Sequence, residues 1–537
     1  MYHTMLWAVL AASLFFFVRR AIKMRSRRNL PPGPRGWPIV GNLPQVSGEG
    51  QIWCLLTKWK YEYGPLTYLN LCGQDVIVIN SRPAALEILE RRSAMYSDRP
   101  RHIVCEYLGG EMAMPFTGYT KTWQNMRRAT HEVLHHQAAL HYHPVQTEEA
   151  IILVQKLLFD HSSTLREKLN ASAATMLSVM YGRKAVNSSF LPSALVGKSN
   201  VTVSETPDKL LITSDILQTL ANIGHRFTSS VYPGSYLVEA LPILEYLPES
   251  LAKWKRDAVS DRKRMGKAFQ TYYEEALRND ENRGSLCARL TDTSLGGGLT
   301  YEEKWWTIGV VSVAALETTS TTLAYFIFAM TLYPRVQQKA HEELDQVIGR
   351  TQNPMFSDMK NLPYIRAVVK EILRWNPPLP VIVPRIALED DWYENHFIPK
   401  GAAILENLWG MNYDKDVYGP DVEEFRPERF LQESEKGDEY ELKPDVENED
   451  GHNSYGFGRR KCVGKYVADN ALFIGICTIL WAVNIEAVEG KIDLARHTLD
   501  TVNPIPDFQC KFTPRFEGLD TFLQQLRDNF EYFKQNK

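Results

Sequence analysis

The sequence predicts a mainly α-helical fold with a small β portion, built as one large domain over residues 37–537. Three observations carry that prediction. Apolar segments of helical length run from Thr122 to about Met330 and return at Val467 to Val483. β-Forming residues concentrate in two short runs near the amino end. A chain of 537 residues would ordinarily divide into roughly three or four domains, yet no linker cuts it.

The elements follow in order. Met1 to Val18 carries no charge, and 18 residues span about 27 Å as a helix, at the short end of a membrane-crossing length. Arg19, Arg20, Lys23, Arg25, Arg27 and Arg28 come after this run. A cleaved signal peptide, the alternative reading, has the reverse order. By the positive-inside rule residues 1–20 are expected to anchor the chain in a membrane, with its body on the cytoplasmic side. Residues 21–36 read as a basic, proline-rich hinge, stiffened by Leu30-Pro31-Pro32-Gly33-Pro34. Leu66 to Leu71 and Asp75 to Asn80 read as strands around Cys72-Gly73-Gln74, and Pro83 to Arg91 as a helix. Val186 to Asp208, rich in Ser, Asn, Thr and Pro, reads as a loop. Tyr232-Pro233-Gly234-Ser235 and Tyr246-Leu247-Pro248 punctuate the next apolar stretch. Trp305 to Tyr333 is long enough to be a second span. Glu317, four threonines and two serines between Ser312 and Thr322 favour a helix buried at the centre of a core. Glu433 to Asp450 is acidic and reads as a solvated loop.

A net charge of −3 gives no reason to expect a nucleic-acid partner. Seven scattered cysteines without a CxxC pair favour neither a disulfide framework nor a zinc site, and fit a reducing compartment. His131 and His135, four apart among five histidines between His131 and His143, could hold a metal on one helix face; an unliganded role is the commoner outcome. Asn170, Asn187 and Asn200 head N-x-S/T sequons, which stay unmodified on the cytoplasmic side.

The most informative run is Tyr455-Gly456-Phe457-Gly458-Arg459-Arg460-Lys461-Cys462-Val463-Gly464. Glycines allow a backbone path that brings one thiol and its neighbouring amides close to a flat cofactor. The helix that follows points its positive end at the sulfur, which favours the thiolate. Arg460 can pair with a carboxylate. A lone cysteine in a glycine-rich turn is more often merely buried; four spaced positions weigh against that here.

The run resembles the cysteine loop of the cytochromes P-450, F-x-x-G-x-R-x-C-x-G, with Tyr455 in place of Phe and Val463 where Pro is common. The resemblance covers nearly the whole chain and fits the filamentous-fungal, secondary-metabolism branch, similar to O-methylsterigmatocystin oxidoreductases. It implies the P-450 fold around one buried haem b, with Cys462 as axial ligand and Tyr455, Gly458 and Gly464 shaping the loop. Ala314-Ala315-Leu316-Glu317-Thr318-Thr319 is similar to the family's oxygen-activation motif, with Ala315 in place of Gly. Thr318 would hold dioxygen and a water, and Glu317 would relay protons. The alternative is that Thr318 bonds back to its own helix. Trp123 and Arg127 match W-x-x-x-R, and with Arg385 and Arg460 would serve the haem propionates. Glu371 and Arg374 match E-x-x-R, three apart on one helix face, and would join Arg429 in a structural network. By position Ile103 to Phe116, Val310 to Ala314, Leu379 to Val383 and Pro504 to Pro506 would line an apolar pocket.

The function implied is a monooxygenase that oxidises a small hydrophobic, terpenoid- or polyketide-like substrate with O2. No G-x-G-x-x-G sits in a strand–helix setting, so electrons must come from a partner, for which the family uses the NADPH-cytochrome P-450 reductase of the endoplasmic reticulum membrane. Arg127, Arg128, Arg459, Lys461 and Lys465 could attract an acidic partner or be an ordinary solvated surface. Two other readings stand beside it. One is a haem-thiolate isomerase or dehydratase, against which Glu317–Thr318 argues. The other is a membrane-tethered haem- or ligand-binding protein without catalysis.

Overall fold

Both β-rich runs pair as their composition predicts. In this computed structural model β1 (Leu66–Leu71) and β2 (Gln74–Ile79) form an antiparallel hairpin through Cys72 and Gly73. Both turn residues have positive φ, 50° and 94°. The structure describes residues 29–535 apart from 48–50, 162–163, 173, 183–215, 232–233, 279–283, 292–297, 435–439 and 493–507. The expected anchor over 1–20, the basic part of the hinge, the Val186–Asp208 loop and Pro504 to Pro506 therefore lie outside the described residues. The proline-rich segment is not a free hinge. Tyr68 N donates to Pro32 O at 2.9 Å, and a Cβ on Gly33 would lie 2.0 Å from Tyr68 O, so the prolines pack along β1.

The sheet is completed from far along the chain. β3 (Arg385–Ile386) pairs antiparallel with β4 (Ala403–Glu406), which lies parallel to β2, giving the order β1-β2-β4-β3. Pro380 to Val383, expected to be strand-like, makes only a bridge from Val381 to Asn407. The helix expected at Pro83 to Arg91 starts at Arg82 and widens to a π-helix over Leu86–Arg91.

The helices that frame the centre are α1 (Ile103–Gly109), α2 (Lys121–Leu134), α3 (His143–Phe159), α4 (Ile216–Val231), α5 (Lys253–Leu277), α6 (Tyr301–Leu332), α7 (Pro363–Trp375) and α8 (Lys465–Ala482). Thr300 and Glu303 close a capping box that starts α6. At 32 residues α6 is about 48 Å long. Its first half packs in a cluster with α1, α2, α4 and α5, and its second half in another with α3, α7 and α8. Gly309 lets α5 approach, since a Cβ there would meet the Phe269 ring at 2.3 Å. Among the described residues α6 and α8 are long and apolar enough to cross a membrane, and both are mostly buried inside the fold.

The described part of the acidic stretch before the cysteine forms regular structure, where a loop was expected. Leu431–Glu433 pairs with Tyr440–Leu442, and Pro444–Glu449 is a helix. Asp450 then turns inward to Lys465 at 2.6 Å. Burial would raise its carboxyl, but Lys370 and Lys465 hold it at about 2.

Glu371 and Arg374 lie fully buried on α7, with Arg374 Nε and Nη2 on the Glu371 carboxylate at 2.7 and 2.8 Å. Arg429 Nε joins the same carboxylate at 3.0 Å. The remaining guanidinium donors reach the Asn412, Val422, Asp421 and Glu424 carbonyls. Every charge in this trio is thus paired and hydrogen-bonded, as a buried charge requires.

Three histidines, His452 buried and His102 and His341 half-buried, make the fold acid-sensitive. Burial drives His102 and His341 down to about 4, and His452 well below its usual 6.5. The unfolded chain binds these protons first as pH falls below 6.5, so stability is lost from there toward 4, by at most about 1.4 kcal/mol per pH unit and histidine. Glu343, raised to about 7 by burial, acts in the opposite direction, and Glu239, Glu275 and Asp469 join it with smaller rises; Asp345, Asp391, Glu428 and Asp450, all held below their usual range, add to the side of the histidines. The thermal midpoint should fall between roughly pH 6.5 and pH 5; a midpoint that stays level or rises there would contradict this.

Candidate functional site

The burial of α6 is interrupted at its middle. Ser312 and Thr319 are buried, while Val313, Ala315, Glu317 and Thr318 are only partly so and Ala314 is exposed. Thr318 Oγ1 donates to Ala314 O at 3.0 Å, so the hydroxyl does bond back to its own helix. That commits its proton and leaves the oxygen able to accept. Gly224 brings α4 close here. A Cβ on it would lie 3.1 Å from Val313 and 3.7 Å from Glu317 Oε2.

Cys462 lies on a loop with little freedom. Its amide donates to Tyr455 O at 2.9 Å. Gly456 and Gly458 take φ of 69° and 57°, and a Cβ on Gly458 would lie 1.9 Å from Leu89 O. The loop therefore presses on the π-helical turn, and Gly458 serves that contact. Gly464 N-caps α8 and faces open space, where a Cβ would meet nothing. The sulfur is exposed in the bare chain, yet burial around it pushes the thiol up. The Gly464 amide, Arg127 and the Lys465 amide pull the other way without prevailing. The helix end favours the thiolate, as expected, but does not outweigh burial in the bare chain. A cation bound to the sulfur would complete the ionisation. Val463 beside the cysteine and Ala315 of α6 pack against the same apolar cluster, which joins the two halves of the site.

Arginines crowd one side. Arg385 Nε meets Glu406 at 2.7 Å and its Nη2 donates to Phe457 O at 2.7 Å. Arg460 donates to Ser97 O and Thr117 O, both at 2.8 Å, and lies 3.9 Å over the Trp123 ring. Arg127 Nη2 donates to Lys461 O. Trp123 Nε1 is already given to Met114 O at 3.1 Å, so in the bare chain Trp123 supports Arg460 and its own donor is committed elsewhere.

Arg99 and His102, which sequence reasoning missed, join this side. Arg99 donates to Pro115 O at 3.1 Å and Pro384 O at 2.9 Å. Burial, then the neighbouring Arg385, pushes Arg99 down to about 9; burial, then Arg99 and Arg385, pushes Arg460 down to about 8. Guanidinium groups stay protonated. The push therefore marks positive charge that Asp98 and Glu406 do not balance. Arg385 Nη1 and His102 Nε2 are buried with no hydrogen-bond partner. Two carboxylates on a flat cofactor would satisfy both the charge and these donors, so the residues present fit a haem whose iron faces Cys462.

Above the site, Phe116 stacks on Phe227 of α4 at 5.9 Å. The Glu239 carboxylate takes the Ile103 and Val104 amides of α1 at 3.1 and 2.8 Å, and Arg101 grips Glu245 with two bonds of 2.8 and 2.7 Å. The connection between α4 and α5 is thus fastened over α1. His131 and His135 lie 5.8 Å apart with their rings tilted, but no three metal-binding side chains meet among the described residues.

Comparison with known proteins gives the family and the fold. The Cytochrome P450 family model matches residues 31–512. Cytochrome P450 monooxygenase 58 of Postia placenta is 38% identical over 533 residues, covering 97% of this chain and 95% of that protein. A cytochrome P450 monooxygenase of Armillaria gallica is 36% identical over 525 residues, 94% of each chain. Cytochrome P450 monooxygenase iboC of Amanita muscaria is 32% identical over 579 residues, 98% of each. A zebrafish cytochrome P450 solved with abiraterone superposes with a TM-score of 0.65 at 22% identity, over 87% of this chain and all of that one.

Proposed function

The chain belongs to the cytochrome P450 family and is a haem-dependent monooxygenase of small molecules, and from that premise we propose how its own residues serve the reaction. Cys462 is the thiolate ligand of haem b. Arg385, Arg460, Arg127 and Arg99 hold its propionates, with Trp123 bracing Arg460. The observation that carries this reading is the unbalanced arginine cluster on the side of the site where Arg127 reaches Lys461, next to the cysteine. When bound, haem on a thiolate supplies dioxygen activation and transfer of one oxygen atom.

The chain supplies proton control and shape. Thr318 Oγ1, its proton on Ala314, accepts from a water in the opening of α6, and Glu317 passes protons toward it. The buried halves of α6 on either side exclude bulk water. Val313, Ala314, Phe116 and Ile382 give the pocket an apolar wall, which supports a hydrophobic secondary metabolite as substrate. The named relatives are monooxygenases, which favours that activity over an isomerase or a silent binding protein. Electrons come from an NADPH-cytochrome P450 reductase at the endoplasmic reticulum membrane. Residues 1–20 anchor the chain there. Leu237, Ile243, Tyr246 and Leu251, all exposed on the fastened connection, add an apolar surface that supports membrane contact.

With reductase and a turned-over substrate, Thr318→Ala should release several-fold more peroxide per NADPH consumed while haem stays bound. Unchanged coupling would remove Thr318 from proton delivery. Deleting residues 1–28 should move the protein toward the soluble fraction; full retention on membranes would assign the attachment to another segment.

A further inference from the structure

The cysteine loop is closed by a residue whose hydroxyl the resembled pattern does not contain. Tyr455 opens the loop, and its carbonyl accepts the Cys462 amide at 2.9 Å. Its phenol donates to Asp469 Oδ1 at 2.6 Å, within the second turn of α8. One residue therefore ties the cysteine to the helix that starts three residues after it, with Gly464 as N-cap and Lys465 first, whose amides lie by the sulfur. The contact is enclosed. The buried His452 ring packs on Tyr455 at 5.4 Å. Asp450 holds Lys465, the first residue of α8, at 2.6 Å. A phenylalanine would fill the same space and make no bond to α8.

We propose that the Tyr455–Asp469 hydrogen bond is a lock that keeps the Gly464 and Lys465 amides on the Cys462 sulfur, making both residues positioning residues for the iron ligand. The inference rests on Cys462 being that ligand. Those amides partly neutralise the thiolate. If α8 draws back, more negative charge stays on the sulfur and the oxidised iron is favoured. A sulfur on a loosened loop also leaves the iron more readily. Gly458 cannot compensate, because it packs closely on the Leu89 backbone rather than on α8.

The test uses the full-length haem-loaded protein and reads the iron midpoint potential and the rate at which the thiolate-type carbon-monoxide band decays in mild denaturant. Tyr455→Phe should lower the potential and speed the decay about tenfold or more, the effect of losing a hydrogen bond to a charged acceptor. Asp469→Ala should decay as fast as Tyr455→Phe, and the double variant no faster than either. Asp469→Asn, which keeps an oxygen for the phenol but not its charge, should decay more slowly than Asp469→Ala. Wild-type potential and decay in Tyr455→Phe, or additive effects in the double variant, would overturn the lock while leaving Cys462 as ligand. A wild-type protein that binds haem without a thiolate band would overturn the ligand assignment, and the lock with it.

Discussion

Arg374 donates to the Asn412 carbonyl, and much of the site hangs from that bond. The Asn412 side chain accepts from the Asn453 amide at 2.9 Å and donates to Ser454 at 3.0 Å. Ser454 in turn donates to the Leu373 carbonyl, one residue before Arg374. Tyr455 follows directly. The ion network of α7 and the cysteine loop are therefore one hydrogen-bonded unit, although 88 residues separate Arg374 from Cys462. Breaking a buried pair of this kind costs about 3–5 kcal/mol, because the survivor is left charged in the interior. Here the cost would fall on the loop that must present the sulfur.

The same constraint explains the electrostatics. The fold gathers Arg99, Arg385 and Arg460 where only Asp98 and Glu406 offset them, and leaves Arg385 Nη1 unsatisfied. A chain folding alone bears that as a destabilising surplus. A dianionic cofactor relieves it, so binding and folding are coupled, and cofactor affinity appears as stability. The Cys462 thiol, pushed up in the bare chain, obeys the same linkage: binding a metal releases its proton.

Much of this was legible in the sequence, for identifiable reasons. The hairpin, α6 and α8 follow from local composition, and Glu317 correctly kept α6 out of the bilayer reading. Cys462 and the Glu371–Arg374 pair were found because their motifs are contiguous or one turn apart. Arg99 and His102 were not, since their chemistry arises only when β3 carries Arg385 beside them from nearly 300 residues away. The acidic stretch misled for a different reason. Its charge is high, but Asp450 at its end has three lysine partners, Lys370, Lys461 and Lys465, the last of them beyond the cysteine. The proline-rich segment was read as a hinge because its packing against Tyr68 depends on a Gly33 contact that no local pattern announces. Tyr455 looked like a mild aromatic swap until α8 placed Asp469 against its hydroxyl.

The most direct measurement is the carbon-monoxide difference spectrum of the dithionite-reduced protein, recorded for wild type and Cys462→Ala. The account predicts the strongly red-shifted band of thiolate ligation in the wild type and its loss in the variant. A histidine-type band in the wild type, or a thiolate band that survives in Cys462→Ala, would contradict it.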